Sequence, residues 1–265
     1  MSRSASDHAA GQLEYRVFTA TRPGLTPDIP AGYESLAWVA NSSTLIYGAR
    51  DAVLVDTFLT IDQSAQLADE VAASGKNLTH VYITHGHGDH FFGLDAIEQR
   101  FPNVRAVATA AVIDHIAGQL EPDMLDGFWR QRFPGQIPDD PSVPEPLDGL
   151  SIELEGRDLI PIETGYTDTA DSTSLHVPSI GLIAAGDVVY NGIHPYQVSP
   201  ALRRGCNGSM RWTSSEGSAL APLSPGTRSR GTTMTRMRSL RPASTSVISS
   251  GSIRRPILRA SCSTR

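Results

Sequence analysis

Three histidines and one aspartate stand within six positions in "YITHGHGDH", residues 82–90, directly after a run of β-formers. In an extended chain, side chains two residues apart project to the same side, so His85 and His87 can grip one ion. Gly86 and Gly88 remove the Cβ atoms that would obstruct a tight turn, and the loop can then present Asp89 and His90 to a neighbouring position. Neutral imidazole and carboxylate are good ligands for zinc, and they serve iron or manganese with less selectivity. The spacing therefore suits two metal ions, with a polar surface loop of satisfied histidines as the alternative. Cys206 and Cys262 both come late in the chain, so no disulfide framework or Cys-rich zinc motif serves the main body. Histidine and carboxylate must hold any metal.

The elements that would position these groups are legible upstream and downstream. "LEYRVFTA" (13–20), "STLIYGAR" (43–50) and "AVLVDTF" (52–58) read as strands, the last two joined as a hairpin. "IDQSAQLADEVAASG" (61–75) places Ile61, Ala65, Leu67, Ala68, Val71 and Ala72 on one helical face and stops at Gly75. "LTHVYIT" is a buried strand leading into the histidines, and a short helix, "FFGLDAIEQRF", ends before Pro102. Strand, helix, strand predicts a parallel crossover. "VRAVAT", "AAVIDHIAGQL" and "DMLDGFWRQRF" continue the alternation as a strand and two helices, and Trp129 and Phe133 are read as helix-packing residues, with the mouth of a pocket as the alternative. The stretch 134–149, "PGQIPDDPSVPEPLDG", is too rich in breakers for a regular element and reads as a surface connection dividing the body in two. Beyond it, "SIELEG", "DLIPIET", "STSLHVP" and "GLIAAGDVVY" read as successive strands. His80, His115 and His176 lie in strand or helix patterns and are assigned structural roles.

Charge is unevenly distributed. Residues 1–200 carry 10 Lys plus Arg against 27 Asp plus Glu, a net of −17, whereas residues 201–265 carry 12 Arg against the single Glu216, a net of +11. An acidic body repels polyanions, which argues against nucleic acid as its substrate. The Arg- and Ser-rich tail shows no sustained periodicity and cannot bury enough apolar surface to offset the entropy of ordering it. It reads as a disordered basic segment or, given the abrupt loss of Lys and Asp, as the product of a reading-frame shift. The division expected is a domain over 1–200 and a tail over 201–265. Neither a secretory leader in the first sixteen residues nor a membrane-length apolar run is visible, so the expected location is cytoplasmic.

At the histidine cluster the chain resembles the metallo-β-lactamase superfamily, whose signature H-x-H-x-D-H is matched by His85, His87, Asp89 and His90. "TLIYGARDAVLVDTFLT" is similar to the family's early hairpin, ending at an aspartate, here Asp56, that supports the metal loop. "GLIAAGDVVY" resembles the segment whose aspartate, here Asp187, bridges the two metals. The resemblance covers residues 13–200 and implies an α/β fold, an αββα sandwich of two βαβ-rich halves with metals at the sheet edge, its last strand and helix missing here. It also implies two zinc ions, the first on His85, His87 and Asp187 and the second on Asp89, His90 and Asp187, with Asp89 as the catalytic group that orients the attacking hydroxide.

Two positions depart from the family pattern. Tyr166, in "ETGYTDTADST", stands where the family carries the third ligand of the first metal. Its phenol, with an ordinary pKa of about 10, must lose a proton before it can ligate. It is read either as that ligand or as a hydrogen-bonding neighbour, with Asp168 and Asp171 close enough in sequence to offer oxygens instead. The family's final histidine has no counterpart after His194, which is itself a substitute candidate or a surface-turn residue. The reaction implied is hydrolysis of a small ester, thioester, lactone or amide, in which one ion acidifies a bound water and the other polarises the carbonyl. An inactive scaffold of the same fold is the alternative.

Overall fold

The computed structural model describes residues 12–21, 38–190 and, as backbone, 247–249. β1 (Glu14–Ala20), β2 (Asn41–Tyr47) and β3 (Asp51–Val55) form an antiparallel meander. α1 (Ile61–Ala72) then carries the chain over to β4 (Asn77–Tyr82), which pairs with β3 in parallel, as the strand–helix–strand pattern requires. β5 (Arg105–Ala108) and the two-residue β6 (Glu145–Pro146) extend this sheet in parallel, giving the order β1-β2-β3-β4-β5-β6. The stretch 134–149 was expected to be irregular, yet it contributes β6. Its proline is tolerated because β6 is the edge strand. The boundary between the halves accordingly falls after β6.

The second sheet is built by antiparallel pairing of β7 (Ile152–Leu154), β8 (Arg157–Gly165), β9 (Ser172–Val177) and β10 (Leu182–Ala184), with β11 (Val247–Ser249) against β10. Where two βαβ-rich halves were expected, its described strands pair antiparallel throughout, and among the described residues no α-helix follows β6. The remaining helices, α2 (Gly88–Phe91), α3 (Leu94–Arg100), α4 (Ala110–Gln119) and α5 (Pro122–Met124), all come earlier, the last running into a π-helical turn at Leu125–Arg130.

Alternation along the strands builds two cores from one sheet. Leu45, Leu54 and Val81 face α1 and α3 together with Leu67, Val71 and Ile97, while Ile46, Val53 and Tyr82 face Leu159, Leu175 and Leu182 of the second sheet. The first core includes Trp129 and Phe133, packed around Trp38. The buried face of α1 is Ser64, Leu67, Ala68 and Val71, a cleaner helical stripe than the sequence suggested, and Ile61 is exposed. A serine can lie there because its hydroxyl donates to the Phe58 carbonyl at 3.1 Å. Thr60 caps the same helix by accepting from the Gln63 N–H. No helix among the described residues is long and apolar enough to cross a membrane.

Candidate metal centre

The centre forms where β4 ends against the second sheet. Thr84 is its pivot. Its N–H and hydroxyl donate to the two oxygens of Asp56, each at 2.8 Å, and its carbonyl accepts from the Thr173 N–H at 2.8 Å and hydroxyl at 2.7 Å. Asp56 can meet Thr84 because it leaves β3 in the left-handed region, at φ 60, where aspartate is better tolerated than most residues. Gly186 lies against Thr84 from the other side, also at positive φ, and a Cβ there would fall 2.5 Å from the Thr84 hydroxyl. Strand β4 and the segment carrying Asp187 are thus locked to one residue beside the histidines.

After β4 the chain places His85, and within α2 His90, almost wholly out of solvent, with His87 at the N-cap of α2 and its side chain 21 % exposed. Gly86 and Gly88 are required for space: a Cβ on Gly86 would sit 2.8 Å from Cβ of His115 on α4, and one on Gly88 would sit 2.3 Å from the Phe92 ring. Five ligand-type atoms converge. His85 Nε2 and His87 Nδ1 lie 3.4 and 3.0 Å from Asp168 Oδ2, and His90 Nε2 lies 3.4 Å from Asp187 Oδ1. Two groups have donor atoms within 4.8 Å of one another: His85, His87 and Asp168, and His85, His90 and Asp187.

Behind the donors, a second set of groups sets their orientation. His90 Nδ1 is 3.0 Å from Asp56 Oδ2, His85 Nδ1 is 3.1 Å from the Thr84 hydroxyl, and Asn41 donates to Asp89 Oδ2 at 2.9 Å. Tyr190 donates to Asp187 Oδ2 at 2.8 Å, and burial together with the Asp187 charge raises its phenol pKa, keeping it a donor. Such support from the far side of each ligand is characteristic of metal sites.

The electrostatics are divided within the cluster. Burial pushes His85 down to about 4, with His90 adding to the effect, so its imidazole is neutral and ready to ligate. Burial opposes charge on His90 too, but is outweighed by Asp187 and Asp56, which raise it well above the ordinary histidine value. His87 is raised, burial being outweighed by Asp168 and Asp89. Asp168 is held below the usual carboxylate range, the cost of burial being exceeded by its proximity to His85 and His87.

Whether these residues fit a metal can be tested on the polar atoms themselves. Buried polar groups are almost always hydrogen-bonded, yet His85 Nε2, His90 Nε2, Asp168 Oδ2 and Asp187 Oδ1 have no hydrogen-bond partner. Four carboxyl groups, Asp56, Asp89, Asp168 and Asp187, surround the imidazoles, all less than a tenth exposed. A cation answers both the unpartnered atoms and the surplus of acidic groups. The residues fit.

A family model described as the metallo-beta-lactamase superfamily matches residues 36–233. The chain belongs to that superfamily. It is similar to a metal-dependent hydrolase of Azorhizobium caulinodans, 28% identical over 192 residues covering 64% of this chain and 79% of that protein. A metal-dependent hydrolase of Brucella anthropi is 26% identical over 173 residues, 57% of this chain and 72% of the other. Among solved structures, a metallo-beta-lactamase from Pontibacter korlensis superposes with a TM-score of 0.49 at 17% identity, covering 69% of this chain and 75% of that one.

Within this superfamily member, the structure gathers His85, His87, His90 and Asp187 around one centre, with Asp56 behind them. Asp89 is buried beside them on Asn41 but lies outside both donor groups, which pair His90 and Asp187 with His85 instead. Tyr166 is 37% exposed and lines an open cleft with Asp114, His115 and Asp171; Asp168 takes the inward place. His194 and the segment 201–265, apart from 247–249, fall outside the described residues. Sequence reasoning passed over Asn41, Thr84 and Tyr190, which carry no motif of their own. His115, read as structural, has its ring 5.6 Å from that of His87 and contacts the Thr169 hydroxyl.

Proposed function

We propose that this protein is a metal-dependent hydrolase of a small ester, thioester, lactone or amide, acting in the cytoplasm with zinc as its ion and iron or manganese as alternatives. The observation that carries the reading is the convergence of buried, unpartnered His85 Nε2, His90 Nε2 and Asp187 Oδ1 at the end of β4. His85, His87, His90 and Asp187 would hold the ions. When bound, such ions make water acidic enough to act as a nucleophile near neutral pH and polarise the carbonyl it attacks. Asn41 fixes the orientation of Asp89, whose proposed role is to accept a proton from the attacking water. Tyr190 and Asp56 hold Asp187 and His90 in position, so that little reorganisation is needed when substrate arrives. The net −17 of residues 1–200 favours a small neutral or cationic substrate over a polyanion.

Metal analysis of the purified protein, paired with turnover of ester, thioester, lactone and amide panels before and after chelation, tests the reading. Stoichiometric metal and chelator-sensitive hydrolysis are expected. Protein that stays metal-free at micromolar zinc, manganese and iron refutes it. One observation favours a second reading, a scaffold that holds metal without turnover: Tyr166 replaces the family's imidazole and points to the surface side of its loop. Metal-loaded protein inactive on every panel, with activity created by Tyr166→His, would select that reading.

A further inference from the structure

If the cluster holds metal, as proposed above, the ion site begun by His85 and His87 needs a further protein ligand. Asp168 lies two residues beyond Tyr166 in the loop between β8 and β9. Gly165 and Asp171 adopt positive φ at 72° and 59°, and the Thr167 N–H donates to the Thr169 carbonyl at 3.0 Å. This tight loop leaves Tyr166 exposed and brings Asp168 to 3% exposure.

The two oxygens of Asp168 have different surroundings. Oδ1 accepts from the Thr167 hydroxyl at 2.8 Å and the Ser172 hydroxyl at 3.3 Å. Oδ2 faces no hydroxyl or backbone donor; two imidazole nitrogens converge on it at 3.0 and 3.4 Å. Zinc binds nitrogen and carboxylate oxygen at about 2.0–2.2 Å in a tetrahedral arrangement, which sets neighbouring donor atoms roughly 3.3 Å apart. A simple ion pair would align one nitrogen with one oxygen. Convergence of two nitrogens on a single oxygen, with the other oxygen secured by hydroxyls, is instead the arrangement of a ligand and its support.

We propose that Asp168, not Tyr166, is the third protein ligand of the ion held by His85 and His87. The carboxylate makes this a two-histidine, one-carboxylate site, harder than one of three imidazoles, and so narrows zinc's advantage over manganese and iron.

The test uses the full chain with Co2+ as probe, reading bound metal after dialysis and the visible absorption of the bound ion. Asp168→Asn is expected to bind about one equivalent fewer than the unmutated chain, or to bind it at least ~10-fold more weakly. Tyr166→Phe is expected to retain the full complement and an unchanged spectrum. Asp168→His, which again offers a ligand atom, is expected to recover the lost equivalent with an altered spectrum, a rescue that a purely structural role does not give. Circular dichroism in chelator checks folding, and should the asparagine variant not fold, Tyr166→Phe and Asp168→His decide. The proposal is overturned if Asp168→Asn binds like the unmutated chain, if Tyr166→Phe loses the equivalent, or if a folded Asp168→His does not recover it. An unmutated chain that binds no Co2+ refutes instead the reading of the site as a metal centre.

Discussion

Asp56 offers the sharpest test of how the fold supports the centre. It is 1% exposed, accepts two hydrogen bonds from Thr84 at 2.8 Å each, and stands 3.0 Å from His90 Nδ1. Asp56→Asn and Asp56→Ala both remove the charge beside His90, so the difference between them isolates what the side chain does for Thr84. Asparagine keeps an acceptor for the Thr84 N–H and is at ease at φ 60. Alanine leaves that buried N–H without a partner, which costs about 1–3 kcal/mol, and adds up to roughly 1 kcal/mol for a left-handed residue lacking a polar side chain. Urea denaturation of the metal-free variants should therefore place the alanine variant about 1–4 kcal/mol below the asparagine variant. Zinc affinity, measured by competition with a chromophoric chelator, should fall about 10–100-fold in both, because His90 loses the partner that fixes its ring. Equal stability of the two variants, or unchanged zinc affinity in the asparagine variant, would refute the argument.

Three other outcomes are expected. His87 and His90 are raised in the metal-free protein by Asp168 and Asp89 and by Asp187 and Asp56, and both must shed protons to ligate. Metal affinity should thus increase from pH 6 to pH 8 with proton release, measured calorimetrically in buffers of different ionisation enthalpy. Their contribution to metal-free stability should have the opposite sign, complete below the ordinary histidine value and lost as pH rises through the raised values. Glu155 accepts from the N–H groups of Ala49, Arg50 and Asp51 at 2.9, 2.6 and 2.8 Å, which lowers its pKa to about 2. Its stabilisation is present above the ordinary carboxylate range and lost as pH falls toward that value, so the thermal penalty of Glu155→Gln should shrink between pH 7 and pH 2. Gly86→Ala should destabilise the chain by about 1–3 kcal/mol in denaturant melts, because the added Cβ meets His115 and the Ile116 backbone.

Sequence periodicity located most of the first sheet because its cues are local. β-branched runs and the Gly75 stop each act within a few residues. The histidine loop was legible for the same reason, since four candidate ligands, three histidines and an aspartate, sit within six positions. Asp168 was only one of several oxygens offered, because its burial depends on a loop whose turn is set by Gly165 and Asp171 and whose partners come from β4. Asn41, Thr84 and Tyr190 were invisible for a related reason. Asn41 meets Asp89 across 48 positions, and Thr173 meets Thr84 across 89, distances over which spacing carries no signal. The short edge strand β6 was missed because proline argues against strand everywhere except at an edge, and edges are known only once the sheet is assembled.

The meeting of Thr84 with Thr173 reaches beyond the centre itself. Since the histidine-bearing and aspartate-bearing halves are keyed to each other at that seam, the distance between imidazole and carboxylate is held beside the centre as well as through the chain that joins the halves at 147–151. The exposed turn at Gly149 and Leu150 is where added length is expected to leave that spacing least disturbed. A scaffold whose halves find their alignment at the reacting end can be remodelled elsewhere without recalibrating it.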